Sequence, residues 1–218
     1  AVALSDAVAA ALAARAPGLP LIRGRLPALL AEAPPAAPRP DGEVRFLFFG
    51  RLRAYKGLDL LRDAFAALRA RHPQARLRVV GEGDAEACAP GLAALPGVTV
   101  ESRWVAEGEI PRLLAEADAV VLPYREASQS GVAPQALAAG VPVVATPVGG
   151  LCEQVREGEG GVIAAAATPD AFTEAMARLL APGALDAVRV AARRAGAAAS
   201  DWDGAAAELV VGLRRVLA

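Results

Sequence analysis

The sequence predicts an α/β chain, a Rossmann-like three-layer sandwich around a six-stranded parallel sheet. From Val44 onward, short apolar runs of strand-forming residues alternate with helical segments, the signature of parallel strands joined by right-handed crossovers. Several of the strands run straight into glycine-bearing turns, as at Gly50 and Gly81. At 218 residues the chain is long enough to bury one substantial α/β core.

Ahead of that alternation, Val2-Ala3-Leu4 reads as a short strand with no obvious partner among the later ones. Ser5 or Asp6 then caps an Ala-rich helix reaching Ala14. Pro34 to Asp41 has the composition of a linker. The boundary falls there, with residues 1–42 a remnant of an N-terminal domain plus linker and residues 43–218 one sheet domain with C-terminal helices. The predicted strands are Val44–Phe49, Arg76–Val80, Val98–Glu101, Ala119–Leu122, Val143–Ala145 and Gly161–Ile163, with helical segments at about 57–71, 84–94, 108–116, 131–139 and 151–157. In the order 3-2-1-4-5-6 the sheet reverses direction between its first and fourth strands, and ligands bind outside the strand ends at that point. Three helices follow Pro169. Phe172, Met176, Leu179, Leu180, Val188, Leu209, Val210, Leu213, Val216 and Leu217 read as core-facing stripes, with Trp202 an anchor and Asp203 a cap.

Composition excludes several function classes. A net charge of −1 gives no field for nucleic acid or an anionic membrane surface. No stretch is long and apolar enough to span a membrane and no cleavable signal is visible, which points to the cytoplasm. Cys88 and Cys152 lie in separate helical segments and read as small buried thiols. The single histidine, His72, reads as a solvated helix C-cap, which removes His-based triads and metal sites. Acid–base chemistry must then use carboxylates or the substrate itself.

The centre of the chain is Val44 to Gly57, a strand, a tight turn and the start of a helix whose Leu58, Leu61, Phe65 and Leu68 share one face. Arg51, Arg53 and Lys56 sit in the turn, and cations beside exposed first-turn amides suit an anion, with phosphate the obvious candidate. Lys56 is the one lysine against 22 arginines, which marks a place where a slim ammonium is wanted rather than a guanidinium; a solvated cation at a helix start is the plainer explanation. Across the reversal lies Pro123 to Val132. Glu126 is its only carboxylate, and Ser130 and Gly131 open the next helix as a second anion site. Two such sites suit a diphosphate. Gly81-Glu82-Gly83-Asp84 fits a nucleotide loop or a simple turn, and Trp104-Val105 fits a wall for a base or a cap on the sheet edge. Gly149-Gly150 is a tight turn whose approach to any ligand spacing does not reveal.

These pieces together resemble a family. Gly50-Arg51 with Lys56-Gly57, Val80-Gly81-Glu82-Gly83, Ala117 to Pro123, and Gly140 to Thr146 with Gly149-Gly150 are similar to the C-terminal, donor-binding half of family-4 retaining glycosyltransferases of the GT-B fold. The resemblance implies transfer of a glycosyl group from a nucleotide sugar with retention, and it makes the sheet domain one half of a GT-B fold. Arg51 and Lys56 would neutralise the donor pyrophosphate, and Glu126 would contact the sugar. Gly50 and Gly83 would lie against the donor, Val105 would meet the base, and the backbone of Ser130, Gly131 and Val132 would hold the far phosphate. Gln135 stands where the family has a ribose-binding glutamate. The resemblance implies no cofactor and no metal, the two cations supplying the positive charge. The acceptor would be bound by a missing N-terminal domain, and any membrane contact would come through that half. This chain alone is then expected to be inactive.

The sequence departs from the family pattern at one place. Eight residues separate Glu126 from Gln135 where the family has seven, and the second carboxylate is an amide, which loses the charge-assisted part of a ribose hydrogen bond. Two other readings use the same fold: a nucleotide-sugar epimerase or hydrolase, which wants more acids or bases than Glu126, and a non-catalytic nucleotide-sugar-binding module.

Overall fold

The computed structural model describes residues 1–29 and 42–217. The Pro34–Asp41 linker and the domain boundary drawn there lie outside the described residues.

The first segment holds β1 (Val2–Ala3), α1 (Asp6–Arg15) and β2 (Ile22–Arg23). The N-terminal strand does have a partner: Val2 and Ala3 pair in parallel with Ile22 and Arg23. A two-residue strand has no periodicity to detect in sequence. Ser5 is the α1 cap, its hydroxyl accepting from Val8 N–H at 3.2 Å.

The main sheet has β3 (Val44–Phe49), β4 (Ala75–Gly81), β5 (Val98–Ser102), β6 (Ala119–Leu122), β7 (Val143–Ala145) and β8 (Gly161–Ile163). It is six-stranded and parallel in the order β5-β4-β3-β6-β7-β8, which is the expected order with its reversal beside β3. Burial explains the arrangement. Val44, Phe46, Leu47, Phe48 and Phe49 of β3 and all four residues of β6 are buried, as central strands covered on both faces must be. The edge strand β5 has no buried position, each of its residues being half-buried or exposed.

Between the strands run α2 (Leu58–Arg71), α3 (Ala85–Cys88), α4 (Ile110–Ala115), α5 (Val132–Ala138) and α6 (Leu151–Gln154), followed by α7 (Pro169–Arg178), α8 (Ala184–Ala199) and α9 (Trp202–Leu217). α2 packs against α7 in one outer layer and α5 against α8 in the other. α2 buries Leu58, Leu61, Phe65 and Leu68 as its spacing predicts, together with Leu60 and Ala64. The segment expected at 84–94 is broken into α3 and a short 3-10 turn at Leu92–Ala94, because Pro90 lacks an N–H and Gly91 is left-handed at φ 79°. The segment expected at 151–157 stops at Gln154, where Val155 turns extended.

Four expectations need correction. Cys88 is half-buried and Cys152 exposed, since Cys152 lies on the outer side of a single helical turn that buries Leu151. The cap of α9 is Asp201, whose carboxylate accepts Gly204 N–H at 2.8 Å, so the helix begins at Trp202, two residues earlier than an Asp203 cap requires. The α9 stripe does not face the core: Val210, Leu213, Val216 and Leu217 are exposed and Ala205 is its buried residue. That helix packs on β2, too small an element to cover it. Trp202 is 47% exposed and so is not a packing anchor; its indole donates to the Ala28 carbonyl at 2.8 Å. Residues 1–29 are also tied to α6, where the Glu153 carboxylate accepts Asp6 N–H at 2.7 Å and Ala7 N–H at 3.2 Å.

No helix among the described residues is long and apolar enough to cross a membrane.

Candidate functional site

β3 ends at the sheet reversal, and its chain leaves through Gly50 at φ 125°, a conformation L side chains rarely adopt. Gly50 N–H donates to the Val80 carbonyl at 3.0 Å and Leu52 N–H to the Glu82 carbonyl at 2.8 Å. This first loop therefore lies along the end of β4. The fit leaves no room for side chains at the contacts. A Cβ on Gly81 would stand 1.7 Å from the Gly50 carbonyl oxygen, and one on Gly83 2.6 Å from that of Leu52. After a 3-10 turn at Ala54–Lys56, left-handed Gly57 opens α2. Its missing Cβ would meet the Pro123 carbonyl oxygen at 2.0 Å, so the loops after β3 and β6 touch here through backbone.

The second loop, Pro123 to Gly131, is fastened to both sides of the reversal. Arg125 N–H donates to the Tyr55 carbonyl at 2.8 Å, and its guanidinium pairs with Asp59 of α2 at 2.6 Å. Thr146, after β7, donates its hydroxyl to the Tyr124 carbonyl at 2.6 Å. Gly150 N–H donates to the Ala127 carbonyl at 3.0 Å, and Cβ atoms on Gly149 and Gly150 would each fall 2.0 Å from a carbonyl oxygen of this loop. Gly149-Gly150 thus serves the second loop's backbone. At the loop's end Ser130 is buried, and its hydroxyl accepts Val132 N–H at 3.2 Å and Ala133 N–H at 3.4 Å. The Ser130 backbone is held by the Gln154 side chain, Oε1 accepting its N–H at 2.6 Å and Nε2 donating to its carbonyl at 2.9 Å.

Lys56 sits where the two loops meet. Its ammonium lies 3.7 Å from the centroid of the Tyr124 ring and 5.3 Å from that of Tyr55, a cation–π arrangement. Burial, with repulsion from Arg51 second, lowers the Lys56 pKa to about 8. Arg51 and Arg53 are exposed. None of these three cations has a carboxylate partner among the described residues, although most cations toward the other end of the sheet do, such as Arg78 with Glu101 and Glu116 at 2.7 Å. Tyr124 is 1% exposed; burial raises its phenol well above the usual value while the nearby Ser130 hydroxyl acts the other way, and its hydroxyl oxygen meets no partner in hydrogen-bond geometry among the described residues.

The remaining predicted residues take these places. Glu126 is exposed, in the loop opposite Lys56. Gly131 precedes α5, and Val132 is its first residue. Gln135, one turn in, donates Nε2–H to the Gly131 carbonyl at 2.9 Å, and among the described residues nothing donates to its Oε1. Gly83 follows β4 and half-buried Val105 follows β5, with Trp104 68% exposed beside it. All therefore stand at or after the C-terminal ends of the parallel strands. Sequence reasoning gave no part to Tyr124 or to Gln154. An aromatic after a proline and a glutamine in a short helix carry no pattern by themselves. No group of three or more His, Cys, Asp or Glu residues is clustered among the described residues.

The sequence matches the family Glycosyl transferases group 1 over residues 43–182. The chain belongs to that family. It is 33% identical over 176 residues to the D-inositol 3-phosphate glycosyltransferase of Corynebacterium urealyticum, covering 75% of this chain and 41% of that protein. It is 38% identical over 136 residues to the glycogen synthase of Mycobacterium tuberculosis, covering 61% of this chain and 33% of that one. The chain thus spans about two-fifths of the length of the curated relatives it matches. Among solved structures, sucrose-phosphate synthase from Thermosynechococcus elongatus superposes with a TM-score of 0.81 at 23% identity, over 99% of this chain and 58% of that one. TarM of S. aureus, solved with fondaparinux, alpha-GlcNAc-glycerol and UDP, superposes with a TM-score of 0.80 at 13% identity, over 97% of this chain and 43% of that one. The glycosyltransferase fold seen here is one half of GT-B.

Proposed function

We propose that this chain is the donor-binding half of a retaining glycosyltransferase that takes its sugar from a nucleotide-diphosphate sugar. The observation that carries the reading is the pair Arg51 and Lys56, free of carboxylate partners among the described residues, at the sheet reversal and facing a firmly fastened loop that carries Glu126. Unpaired cations over a half-buried floor attract a diphosphate, and they stabilise the charge that grows on it as the glycosyl bond breaks. The departing phosphate takes the acceptor hydroxyl's proton, since no His stands in these loops. Glu126 orients the sugar. Gln135 accepts a ribose hydroxyl on Oε1, and the backbone beside Val105 meets the base. Gly50 and Gly83 give the donor room, and the turn Ser130 to Val132 receives the far phosphate mainly through Gly131 N–H, because Gln154 and the Ser130 hydroxyl engage the neighbouring amides. The positive charge needs no metal and no cofactor. The acceptor is held by a part of the enzyme outside this chain, and closure of the two parts completes the site; this chain alone is expected to bind donor without useful turnover.

A thermal-shift panel of UDP, GDP, ADP and their sugar conjugates tests the reading, with UDP first because TarM was solved with it. A ligand at 100 times its Kd adds about 2.7 kcal/mol, roughly 5–10 °C at this size. The same panel with Glu126→Ala should lose the sugar conjugate's extra shift and keep that of the diphosphate. If no member of the panel shifts the melting temperature, the proposal is wrong.

A further inference from the structure

The Pro123–Gly131 loop has no regular structure, so its shape depends on where its backbone polar groups bond. Three ties are single hydrogen bonds, two donated to the loop by Thr146 and Gly150 and one donated by the loop to the Tyr55 carbonyl. The fourth is double: the Gln154 amide meets both the N–H and the carbonyl of Ser130, at 2.6 and 2.9 Å. This reproduces the exchange a neighbouring strand would make, and a primary amide supplies the donor and the acceptor together. Ser130 is 1% exposed, so water does not readily replace either half, and an unmade bond there carries the full desolvation penalty. Because the Ser130 hydroxyl accepts Val132 and Ala133 N–H, fixing Ser130 also fixes the entry to α5, where Gln135 is mounted.

Resting on the nucleotide-sugar reading, we infer that Gln154 is a positioning residue for donor binding. Its clamp on Ser130 holds the loop in the shape that presents Glu126 and Tyr124 opposite Lys56. Gln154 also lines a cavity of about 470 Å³ whose other ionisable groups are Arg23, Arg25, Glu153, Arg156, Glu159 and Asp201.

The experiment is calorimetric titration of UDP, GDP and ADP into this chain, Gln154→Met and Gln154→Glu. Met keeps the volume and lacks both hydrogen-bonding groups. For the nucleotide that the unaltered chain binds best, Gln154→Met should lose about tenfold in affinity. In Gln154→Glu an ionised carboxylate still accepts Ser130 N–H but has no proton for the carbonyl, whereas the protonated acid has both groups. Its loss relative to the unaltered chain at the same pH should shrink as pH falls from about 8 to about 5, as the Ser130 carbonyl facing the side chain favours the neutral, donating acid. Comparison at equal pH cancels the titration of the other cavity groups, and a merely structural role gives no such recovery. Full affinity in Gln154→Met, or a Gln154→Glu loss constant with pH, overturns the inference alone. Failure of the unaltered chain to bind any of the three nucleotides overturns the nucleotide-sugar reading and the inference with it.

Discussion

The Lys56 ammonium rests 3.7 Å from the centroid of the Tyr124 ring, where the loop after the first sheet strand meets the loop after the fourth. Among the described residues, the contact joins a half-buried cation with no carboxylate partner to a buried ring whose hydroxyl meets none in hydrogen-bond geometry. Ring and cation lie at the floor of the proposed diphosphate site.

Lys56 should make both stability and binding pH-dependent. Its folded pKa of about 8 lies below the ordinary 10.5, so between those values the unfolded chain binds more protons. Stability then rises with pH across that window. Chemical denaturation of Lys56→Met should lack this rise, with the variant the more stable of the two below pH 8. Nucleoside diphosphate affinity should fall as pH climbs through about 8, and calorimetry between about pH 8 and 10.5 in buffers of different ionisation enthalpy should show proton uptake on binding.

Tyr124→Phe keeps the ring and removes an unsatisfied buried hydroxyl. Its thermal melt should match or exceed the parent's, by up to about 1 kcal/mol, with diphosphate binding unchanged. Tyr124→Leu should lose both the cation–π contact and about 1 kcal/mol or more of packing. A strongly destabilised Tyr124→Phe would mean that its hydroxyl has a partner in solution.

Gly57→Ala places a methyl 2.0 Å from the Pro123 carbonyl oxygen at φ 67°. Steric conflict and backbone strain act together, and denaturation should show a loss of more than about 2 kcal/mol. Diphosphate affinity should drop in the same variant, because the two loops can no longer approach. Gly108→Ala, with open space at its Cβ, is the control.

Asp118, at the N-terminal end of β6, separates stability from binding. Its carboxylate is fully buried and bonded to Arg45 N–H at 2.7 Å and to the Arg189 guanidinium at 2.5 Å. Asp118→Ala should cost roughly 3–5 kcal/mol by leaving buried charge uncompensated. Because it lies at the other end of the sheet, nucleotide affinity of the folded fraction should not change.

Much of the fold was legible because the strands obey one rule. Val44–Phe49, Ala119–Leu122, Val143–Ala145 and Gly161–Ile163 are apolar runs between turn residues, and their observed bounds match the sequence reading residue for residue. The β1–β2 pair and the exposed side of α9 were not, because both depend on which partner is present rather than on a local pattern. At the site, Arg51, Lys56 and Glu126 were visible as charges in turns at a sheet reversal. Gln154 was invisible because its role depends on α6 ending beside Ser130, a tertiary fact. The clash geometry of Gly149 and Gly150 was hidden for the same reason.

Five glycines, 57, 81, 83, 149 and 150, each bring a backbone within 1.7–2.6 Å of where a methyl group would sit. The frame of this site is consequently closed to gradual change: every single substitution at those positions makes the loops collide. Only the side chains mounted on the loops can drift one at a time, and Glu126, Gln135 and Trp104 are among them. New ligand preferences in a lineage carrying this frame should therefore arise by exchange of mounted groups, while the backbone that carries them stays as it is.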